Sequence, residues 1–259
     1  MNTRYTFVRP LAAATVSALL LSACAGGNDN GVIDRKYVAR DVSTLYTLAK
    51  DTLDRGGAKQ AAAIFDEVER QHPYSVWARR AQLMSAFSYY SAREYNDAIS
   101  AAQRFLSLHP GNSDAPYAYY LIALSYYEQI EDVERDQQTT LQALSALTEL
   151  TRRYPDTKYA ADARLKIDLA RDHLAGKEMT IGRFYMERRQ FIAAVKRFEN
   201  VIETYETTSH TPEALHRIVE CYLLLGIPQE AERTAAVLGA NYPGSKWYER
   251  SYDLIQKHT

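Results

Sequence analysis

The feature that most limits the fold of this chain is a residue pattern that occurs five times. Each segment closes on a proline, or once on a glutamate, and a tyrosine or histidine ring stands immediately before the closing residue. An alanine lies twelve residues before each closing position, and an apolar residue lies five before it. The closing residues are Pro73, Pro110, Pro155, Glu206 and Pro243. The alanines are Ala61, Ala98, Ala143, Ala194 and Ala231, the apolar residues are Val68, Phe105, Leu150, Val201 and Leu238, and the rings are those of His72, His109, Tyr154, Tyr205 and Tyr242.

This spacing is typical of helices. A small residue lets a neighbouring helix approach, and an apolar residue seven positions later lies on the same helical face. Proline then ends the helix and pushes its predecessor out of the α region. The closing positions are 37 residues apart between Pro73 and Pro110 and again between Glu206 and Pro243, close to the roughly 34 residues of a tetratricopeptide repeat. We therefore predict an all-α fold, a right-handed solenoid of about five tetratricopeptide-like helix pairs over residues 37–259.

The first helix of each pair lies upstream of the alanine. Tyr89, Tyr185 and Tyr222 mark it nine residues ahead of their alanines. Residues 157–189 predict one long helix with a bend at Gly176. Polar residues that favour helix N-caps follow each closing position and predict where the next helix begins. They are Ser75, Ser113 or Asp114, Asp156, Thr211 and Ser245.

Residues 1–23 have the order of a secretory signal peptide. Arg4 and Arg9 come first with no acidic residue near them, and an apolar stretch from Leu11 to Leu21 follows. This stretch is too short to span a bilayer, which takes about 20 apolar residues. We expect it to be removed from the mature protein.

Two cleavage sites compete at the end of this stretch. Ala23, Cys24 and Ala25 fit the small-x-small rule of ordinary signal peptidase, which would leave a freely secreted protein. The sequence from Leu21 to Cys24, "LSAC", instead resembles a bacterial lipobox, in which the cysteine is acylated and becomes the mature N-terminus. We favour the second interpretation, because the leucine three residues before Cys24, the small residue immediately before it and the cysteine itself all fit that motif. Two or more acyl chains at such a site give stable membrane anchoring. Residues 24–36 are then a lipidated flexible tether. We predict no cofactor, and the covalent lipid on Cys24 is the only attached group that we expect.

Composition and motifs indicate a binding protein without catalysis. The net charge of −1 predicts no nucleic-acid partner. Two cysteines exclude a disulfide framework and a cysteine-rich zinc site, and the apolar pattern around Cys221 predicts a buried small side chain. The six histidines form no metal-spaced pair, and no phosphate loop or nucleophile motif is present. We predict no catalytic residue, no metal site and no enzymatic activity.

Several of these features together resemble the BamD family, the lipoproteins of the outer-membrane β-barrel assembly machinery. They are the lipobox, the tether, the five repeats and the segments "YPDTKYAADARLKIDLARDHLA" and "YMERRQFIAAVKRFENVIETY". Residues 152–205 carry the most specific part, whereas Glu206 stands where proline is usual in the family. The resemblance implies a scaffold and substrate receptor in the assembly and insertion of β-barrel proteins. It also implies a lipid anchor in the outer membrane, with the protein facing the periplasm. The residue after the cysteine is Ala25 and not aspartate, which resembles the signal for sorting to the outer membrane. The alternative is a generic envelope adaptor that serves cell-wall synthesis or division.

The resemblance places the main partner on residues 128–259. That partner is the central barrel protein of the machinery, which docks through its periplasmic domains, and accessory lipoproteins join the complex. Arg197 matches a family arginine in the same "VxRxE" setting. A planar, permanently charged guanidinium suits a carboxylate partner. In the alternative interpretation Arg197 is a solvated charge on the second helix of pair four.

Residues 37–127 are by the same resemblance the substrate-side half. The family receives the C-terminal segments of unfolded barrel proteins there, which have alternating aromatic residues and a terminal carboxylate. The sequence "HPYSVWARR" offers aromatic rings and guanidinium groups for such a segment. These candidate substrate-binding residues are Tyr74, Trp77, Arg79 and Arg80. In the alternative interpretation Trp77 fills the gap between the first two pairs, and both arginines face water.

Overall fold

The structure is a computed structural model that describes residues 41–258, where the chain forms eleven α-helices and no strand. The signal peptide, Cys24 and tether predicted for residues 1–36 lie outside the described residues. The helices are α1 Val42–Asp54, α2 Ala58–Gln71, α3 Val76–Ser91, α4 Tyr95–Leu108, α5 Ala115–Tyr127, α6 Gln138–Arg153, α7 Lys158–Glu187, α8 Phe191–Thr204, α9 Thr211–Leu224, α10 Pro228–Asn241 and α11 Lys246–Gln256.

The first ten helices form five successive pairs, which we call pairs one to five, from α1–α2 to α9–α10. Each helix packs on the next one in the chain, and the first helices of neighbouring pairs also touch in pairs one to four. The last helix, α11, packs on α9 and α10. This arrangement confirms the predicted all-α tetratricopeptide-like solenoid, and α11 covers the end that a sixth pair would otherwise cover.

The repeated residues have the same role in every pair. All five alanines of the pattern are fully buried, and so are the five apolar residues, none of which is more than 1% exposed. The ring residues are the C-caps of α2, α4, α6, α8 and α10. In each case the backbone N–H of the ring residue donates to the carbonyl of the pattern's apolar residue, as from His72 to Val68 at 3.0 Å and from Tyr242 to Leu238 at 2.8 Å. The pattern therefore marks a recurring helix end.

The turn inside a pair also recurs. In four of the five pairs the second residue after the first helix has a left-handed backbone, with φ between 59° and 86°. Glycine fills that position in pairs one and five, as Gly56 and Gly226, whereas Arg93 and Arg189 fill it in pairs two and four. In pairs two, four and five the N–H of the following residue donates back to the carbonyl of Tyr89, Tyr185 or Tyr222. The tyrosine that recurs nine residues before the alanine therefore accepts the hydrogen bond that closes the end of the first helix.

The predicted helix starts are partly confirmed. Ser75 and Ser245 cap α3 and α11, and their hydroxyls accept backbone N–H groups at 3.0 and 3.2 Å. The prediction of Asp156 as a cap is wrong, since Thr157 is the N-cap of α7 and its hydroxyl accepts from the N–H of Ala160 at 3.2 Å. The prediction of Thr211 as a cap is also wrong. Thr211 is the first residue of α9, and its hydroxyl donates to the carbonyl of Glu206 in the preceding turn.

The long helix α7 serves two pairs. It runs without interruption for 30 residues, about 45 Å at 1.5 Å per residue. Its first half packs on α6 through Ala163 and Ile167, and its second half packs on α8 through Ala175 and Met179. Gly176, where we predicted a bend, lies inside the continuous helix, and a Cβ there would lie 3.3 Å from Nε2 of His210. The glycine therefore makes room for the turn before α9.

Candidate partner and substrate surfaces

Arg197 lies on α8 and forms an ion pair with Glu178 of α7. Its Nη1 is 3.2 Å from Oε2 of Glu178, and the arginine side chain is 42% exposed. This ion pair therefore joins α7 and α8, the two helices of pair four. The guanidinium is also partly exposed to solvent. Glu178 acts on a second neighbour as well, because burial and this carboxylate together raise the pKa of Tyr205.

A shallow cavity includes Arg197 but not Glu178. It has a volume of about 480 Å³ and is lined by polar and charged side chains of α8 together with Ala193 and with Tyr185 of α7. Lys196 and Arg197 supply its positive charge, and Glu199 and Glu203 supply its negative charge. A docking partner would meet mixed charges here, which favours directional ion pairs over general attraction. The role of Arg197 in docking stays a prediction.

The substrate-binding residues predicted near α3 divide into two groups. The ring of Trp77 packs against that of Tyr46 on α1, with 4.9 Å between their centroids, and the guanidinium of Arg80 lies 5.8 Å from the Trp77 ring. Tyr74 is fully exposed and Arg79 is exposed. The structure thus brings Trp77 and Arg80 together and gives Trp77 the packing role of the alternative interpretation. Whether any of the four binds substrate stays a prediction.

A charged network on α9 was not predicted from the sequence. Arg217 forms ion pairs with Glu213 and Glu220, at 3.3 and 2.8 Å, and Glu220 lies 3.5 Å from Nε2 of His216. The other ring nitrogen of His216, which is 4% exposed, is 2.8 Å from the hydroxyl of Ser251 on α11. The network therefore fastens α11 to α9. Its signal in the sequence is the spacing of three and four residues in "EALHRIVE".

The network also shifts the pKa values of Glu220 and Arg217. Burial opposes the charge of Glu220, but the hydrogen bonds from His216 and Arg217 outweigh it and lower the pKa of this carboxyl. Hydrogen bonds and charge interactions with Glu220 and Glu213 raise the pKa of Arg217 despite its burial. Within residues 41–258 no group of three or more histidine, cysteine, aspartate or glutamate side chains is placed to hold a metal ion. Over the same residues, none of the helices combines the length and the apolar character that a membrane span requires.

The YfiO family of outer membrane lipoproteins matches residues 38–238 of the chain. The chain belongs to this family. An outer membrane protein assembly factor BamD of Caulobacter vibrioides is 52% identical to it over 94% of this chain and 80% of the relative. The assembly factor BamD of Rickettsia prowazekii is 44% identical over 94% of this chain and 97% of its own. That of Neisseria meningitidis serogroup A is 34% identical over 92% of this chain and 93% of its own.

Solved structures of tetratricopeptide proteins were also compared with this chain, and several are similar to it. The tetratricopeptide domain of P58(IPK) is 18% identical, covers 95% of this chain and 60% of its own, and has a TM-score of 0.42. At that TM-score the likeness adds nothing to the family assignment, which rests on the sequence matches.

Proposed function

We propose that the chain is a lipid-anchored, non-catalytic scaffold in the assembly and insertion of outer-membrane β-barrel proteins. The observation that carries this proposal is the identity of 52% over 94% of the chain with an outer membrane protein assembly factor. The names of the relatives favour barrel assembly over an adaptor of cell-wall synthesis or division. The stacked helix pairs suit this role, because a solenoid offers extended surfaces for binding several partners.

Depletion of the chain in its own bacterium tests this function. The amount of folded barrel proteins in the outer membrane, recognised by their resistance to unfolding in unheated detergent, should fall several-fold. The amount of soluble periplasmic proteins should stay constant. Resupply of the intact chain should restore them. If folded barrels stay constant while incorporation of cell-wall precursors falls, the adaptor role replaces barrel assembly.

The proposed location is the outer membrane, facing the periplasm, with the lipid of Cys24 as the anchor. The lipobox "LSAC" supports it. Cys24→Ser should move the chain from the membrane fraction to the soluble fraction or leave an uncleaved precursor. Intact mass spectrometry of the unaltered protein should show acyl chains on Cys24. A mature N-terminus at Gly26 without acyl mass would contradict the anchor.

The proposed main partner is the central barrel assembly protein, bound through its periplasmic domains to residues 128–259. Accessory lipoproteins of the same complex are further partners. The exposed face of Arg197 supports a contact in which a partner carboxylate shares the guanidinium with Glu178. Arg197→Glu should lower co-purification of the barrel protein at least about tenfold, because the reversed charge repels both carboxylates. Circular dichroism should stay unchanged.

Arg104 offers a matched control for this substitution. It is 46% exposed, lies on α4 and pairs with Asp66 and Glu69 at 3.2 and 3.1 Å. Arg104→Glu should disturb its own pairs to a similar extent and leave co-purification intact. Equal losses in both variants would show that a general disturbance of folding, and not a contact of Arg197, weakens the complex.

The proposed substrates are the C-terminal segments of unfolded barrel proteins, received near α3 by Tyr74, Trp77, Arg79 and Arg80. The exposure of Tyr74 and the cation–π contact of Arg80 with Trp77 support this proposal. A peptide that copies the last strand of a barrel protein should crosslink to photoreactive residues placed at positions 74 and 79. Removal of its terminal Phe should weaken these crosslinks. Crosslinks that ignore that Phe would speak against the site.

A further inference from the structure

The connection between the two helices of pair three is longer than in any other pair. Ten residues, Glu128 to Gln137, join α5 to α6, whereas three residues join the two helices of each other pair. The three-residue connections are 55–57, 92–94, 188–190 and 225–227. We call residues 128–137 the strap. Two antiparallel helices need only about 2–5 connecting residues, so the length of the strap requires another explanation.

The strap is held in a defined conformation by its own hydrogen bonds. The side-chain amide of Gln137 donates to the carbonyls of Asp132 and Arg135, at 3.2 and 3.1 Å. The backbone N–H of Glu134 donates to the carboxylate of Asp132 at 2.9 Å. Gln137 in turn accepts from the hydroxyl of Thr140, the third residue of α6, at 2.9 Å. These bonds give the strap a fixed shape and fasten it to the start of α6.

The strap extends to pair four and contacts the middle of α7. The ammonium group of Lys177 donates to the backbone carbonyl of Glu134 at 2.7 Å. A charged donor makes this hydrogen bond stronger than one between neutral groups. A Cβ at Gly176 would lie 3.5 Å from Cγ1 of Val133, so an apolar side chain of the strap lies close to the bare backbone of the helix. Pair three is therefore connected to α7 at these two positions as well as through its helices.

The strap contacts α7 next to the boundary between two separate cores. The first half of α7 packs on α5 and α6 through Ala163 and Ile167. The second half packs on α8 and α9 through Ala175 and Met179. None of the buried side chains in residues 41–258 belongs to both clusters. The orientation of one core relative to the other therefore depends on the conformation of α7 between them.

Gly176 makes this part of α7 easier to bend. Glycine is less favourable than alanine in a helix interior, because its backbone has more freedom to lose. The helix is nevertheless continuous here, and the turn before α9 contacts it at the same place. Nε2 of His210 lies 3.3 Å from the position of a Cβ at Gly176, and Asp172 accepts from the N–H and the hydroxyl of Ser209 at 3.0 and 2.8 Å. Two segments from outside the helix thus support α7 at its weakest point.

We propose that the strap and Gly176 form a conformational device. The strap holds α7 straight, and Gly176 is the pivot about which pairs four and five reorient against pairs one to three when the strap is released. Hinges consist of a few residues, often small, that absorb the change in φ and ψ. The contacts of the strap with α7 are few, so they open more readily than either core. This device does not depend on the proposed function. Alternatively, Gly176 only makes room for Val133 and His210.

The distance between the two halves of the full chain tests the device. Spin labels are attached to keto amino acids at positions 100 on α4 and 236 on α10, which are both exposed. This chemistry leaves the two cysteines unlabelled. Pulsed electron paramagnetic resonance then gives the distribution of distances between the labels in the chain purified in detergent.

Val133→Gly combined with Lys177→Ala removes both contacts of the strap with α7. Arg135→Ala is the matched control, because Arg135 pairs with Glu131 inside the strap. The double variant should give a distribution about twofold broader than that of the unaltered chain, as expected for a released hinge. Arg135→Ala should match the unaltered chain. An unchanged distribution in the double variant would overturn the proposal, and so would equal broadening in the control.

Gly176→Ala distinguishes a pivot from a residue that only makes room. Added to the double variant, this substitution should narrow the distribution again, because alanine favours the helix and Val133 no longer stands near the new methyl group. If Gly176 only makes room, the methyl group displaces His210 and the distribution stays broad. That result would overturn the assignment of Gly176 as the pivot and the proposal with it.

Hydrogen exchange provides a second measurement, which decides the question even if the double variant loses its helical circular dichroism. In Lys177→Ala alone, the amides of residues 173–180 should exchange about tenfold faster, the change expected for one lost charge-assisted contact. The amides of residues 160–167, in the first half of α7, should exchange as in the unaltered chain. Unchanged exchange in residues 173–180, or equal acceleration in both segments, would contradict a strap that supports the middle of the helix.

Discussion

Pairs four and five solve the same packing problem with opposite distributions of volume. The residue twelve positions before the alanine of the pattern is Gly182 in pair four and Val219 in pair five. The residue four positions after that alanine is Phe198 in pair four and Ala235 in pair five. A Cβ at Gly182 would lie 2.7 Å from Cζ of Phe198 and closer still to Cε1. In pair five, Val219 and Ala235 belong to one buried cluster. A large ring thus meets a bare backbone in one pair, and a medium side chain meets a small one in the other.

Pairs one and two extend this comparison. Pair one places Ala49 and Phe65 in one cluster, and pair two places Ala86 and Ala102 in another. The identity of the two residues changes from pair to pair, while the helix-to-helix contact is kept. Because protein interiors are close-packed, the two positions must be matched within each pair. The combined volume of the two residues is not constant, since pair two has alanine at both positions, so the match between them is a property of each pair.

The largest expected effect comes from truncating the ring. Phe198→Ala should lower the free energy of unfolding by about 3–5 kcal/mol, because Gly182 has no side chain that can move into the space. Val219→Ala in pair five should cost about 2 kcal/mol, since fewer buried carbons are lost. Urea denaturation followed by circular dichroism measures both. Equal losses would mean that the bare backbone at Gly182 does not govern how the site collapses.

Exchange of the volumes tests the match directly. Gly182→Val should cost about 3 kcal/mol, since the new side chain overlaps a buried ring that cannot move away. The double variant Gly182→Val with Phe198→Ala copies the arrangement of pair five. It should be more stable than the sum of the two single losses predicts, with a coupling of about 1–3 kcal/mol. Additive losses would break the comparison between the two pairs.

Exchange of alanine and glycine should destabilise in both directions. Ala49→Gly in pair one should cost about 1–2 kcal/mol through lost helix propensity and a lost buried methyl group. Gly182→Ala gains about 1 kcal/mol of propensity, yet we expect a net loss of about 1 kcal/mol because the methyl group overlaps Phe198. Thermal unfolding of the two variants gives the signs. A stabilised Gly182→Ala variant would show that the ring moves freely.

The smallest expected effect concerns Cys221, which lies on α9 in the same cluster as Phe198. Burial is the main cause that raises the pKa of its thiol to about 12. Folding therefore favours the protonated thiol, and this contribution to stability is present below the pKa of the unfolded thiol, about 8.5, and is lost as the pH rises through the folded value.

At pH 9 alkylation of native Cys221 should consequently be slow, whereas the urea-unfolded chain should react at the rate of a free thiol. The Gly182→Val variant should react faster than the unaltered chain, because its weakened core opens more often. The rate is measured by mass spectrometry of the peptide that contains Cys221. Native alkylation as fast as in urea would contradict the burial.

The sequence determined the helix pairs and their ends. The five alanines, apolar residues and rings are local signals, because helix formation and termination depend on residues a few positions apart. That is why His72 and Tyr154 could be assigned the same structural position in advance. The errors at Asp156 and Thr211 have a local cause too, since neighbouring polar residues compete for one cap and only backbone geometry selects between them.

The tertiary structure decided everything that depends on contacts between helices. The ring of Trp77 packs on Tyr46, and Arg197 pairs with Glu178, although neither contact has a signal in the sequence near it. The same holds for the fit of Gly182 to Phe198. Helical periodicity gives the face on which a residue lies, whereas the distance and angle between two helices result from the packing of all the side chains between them.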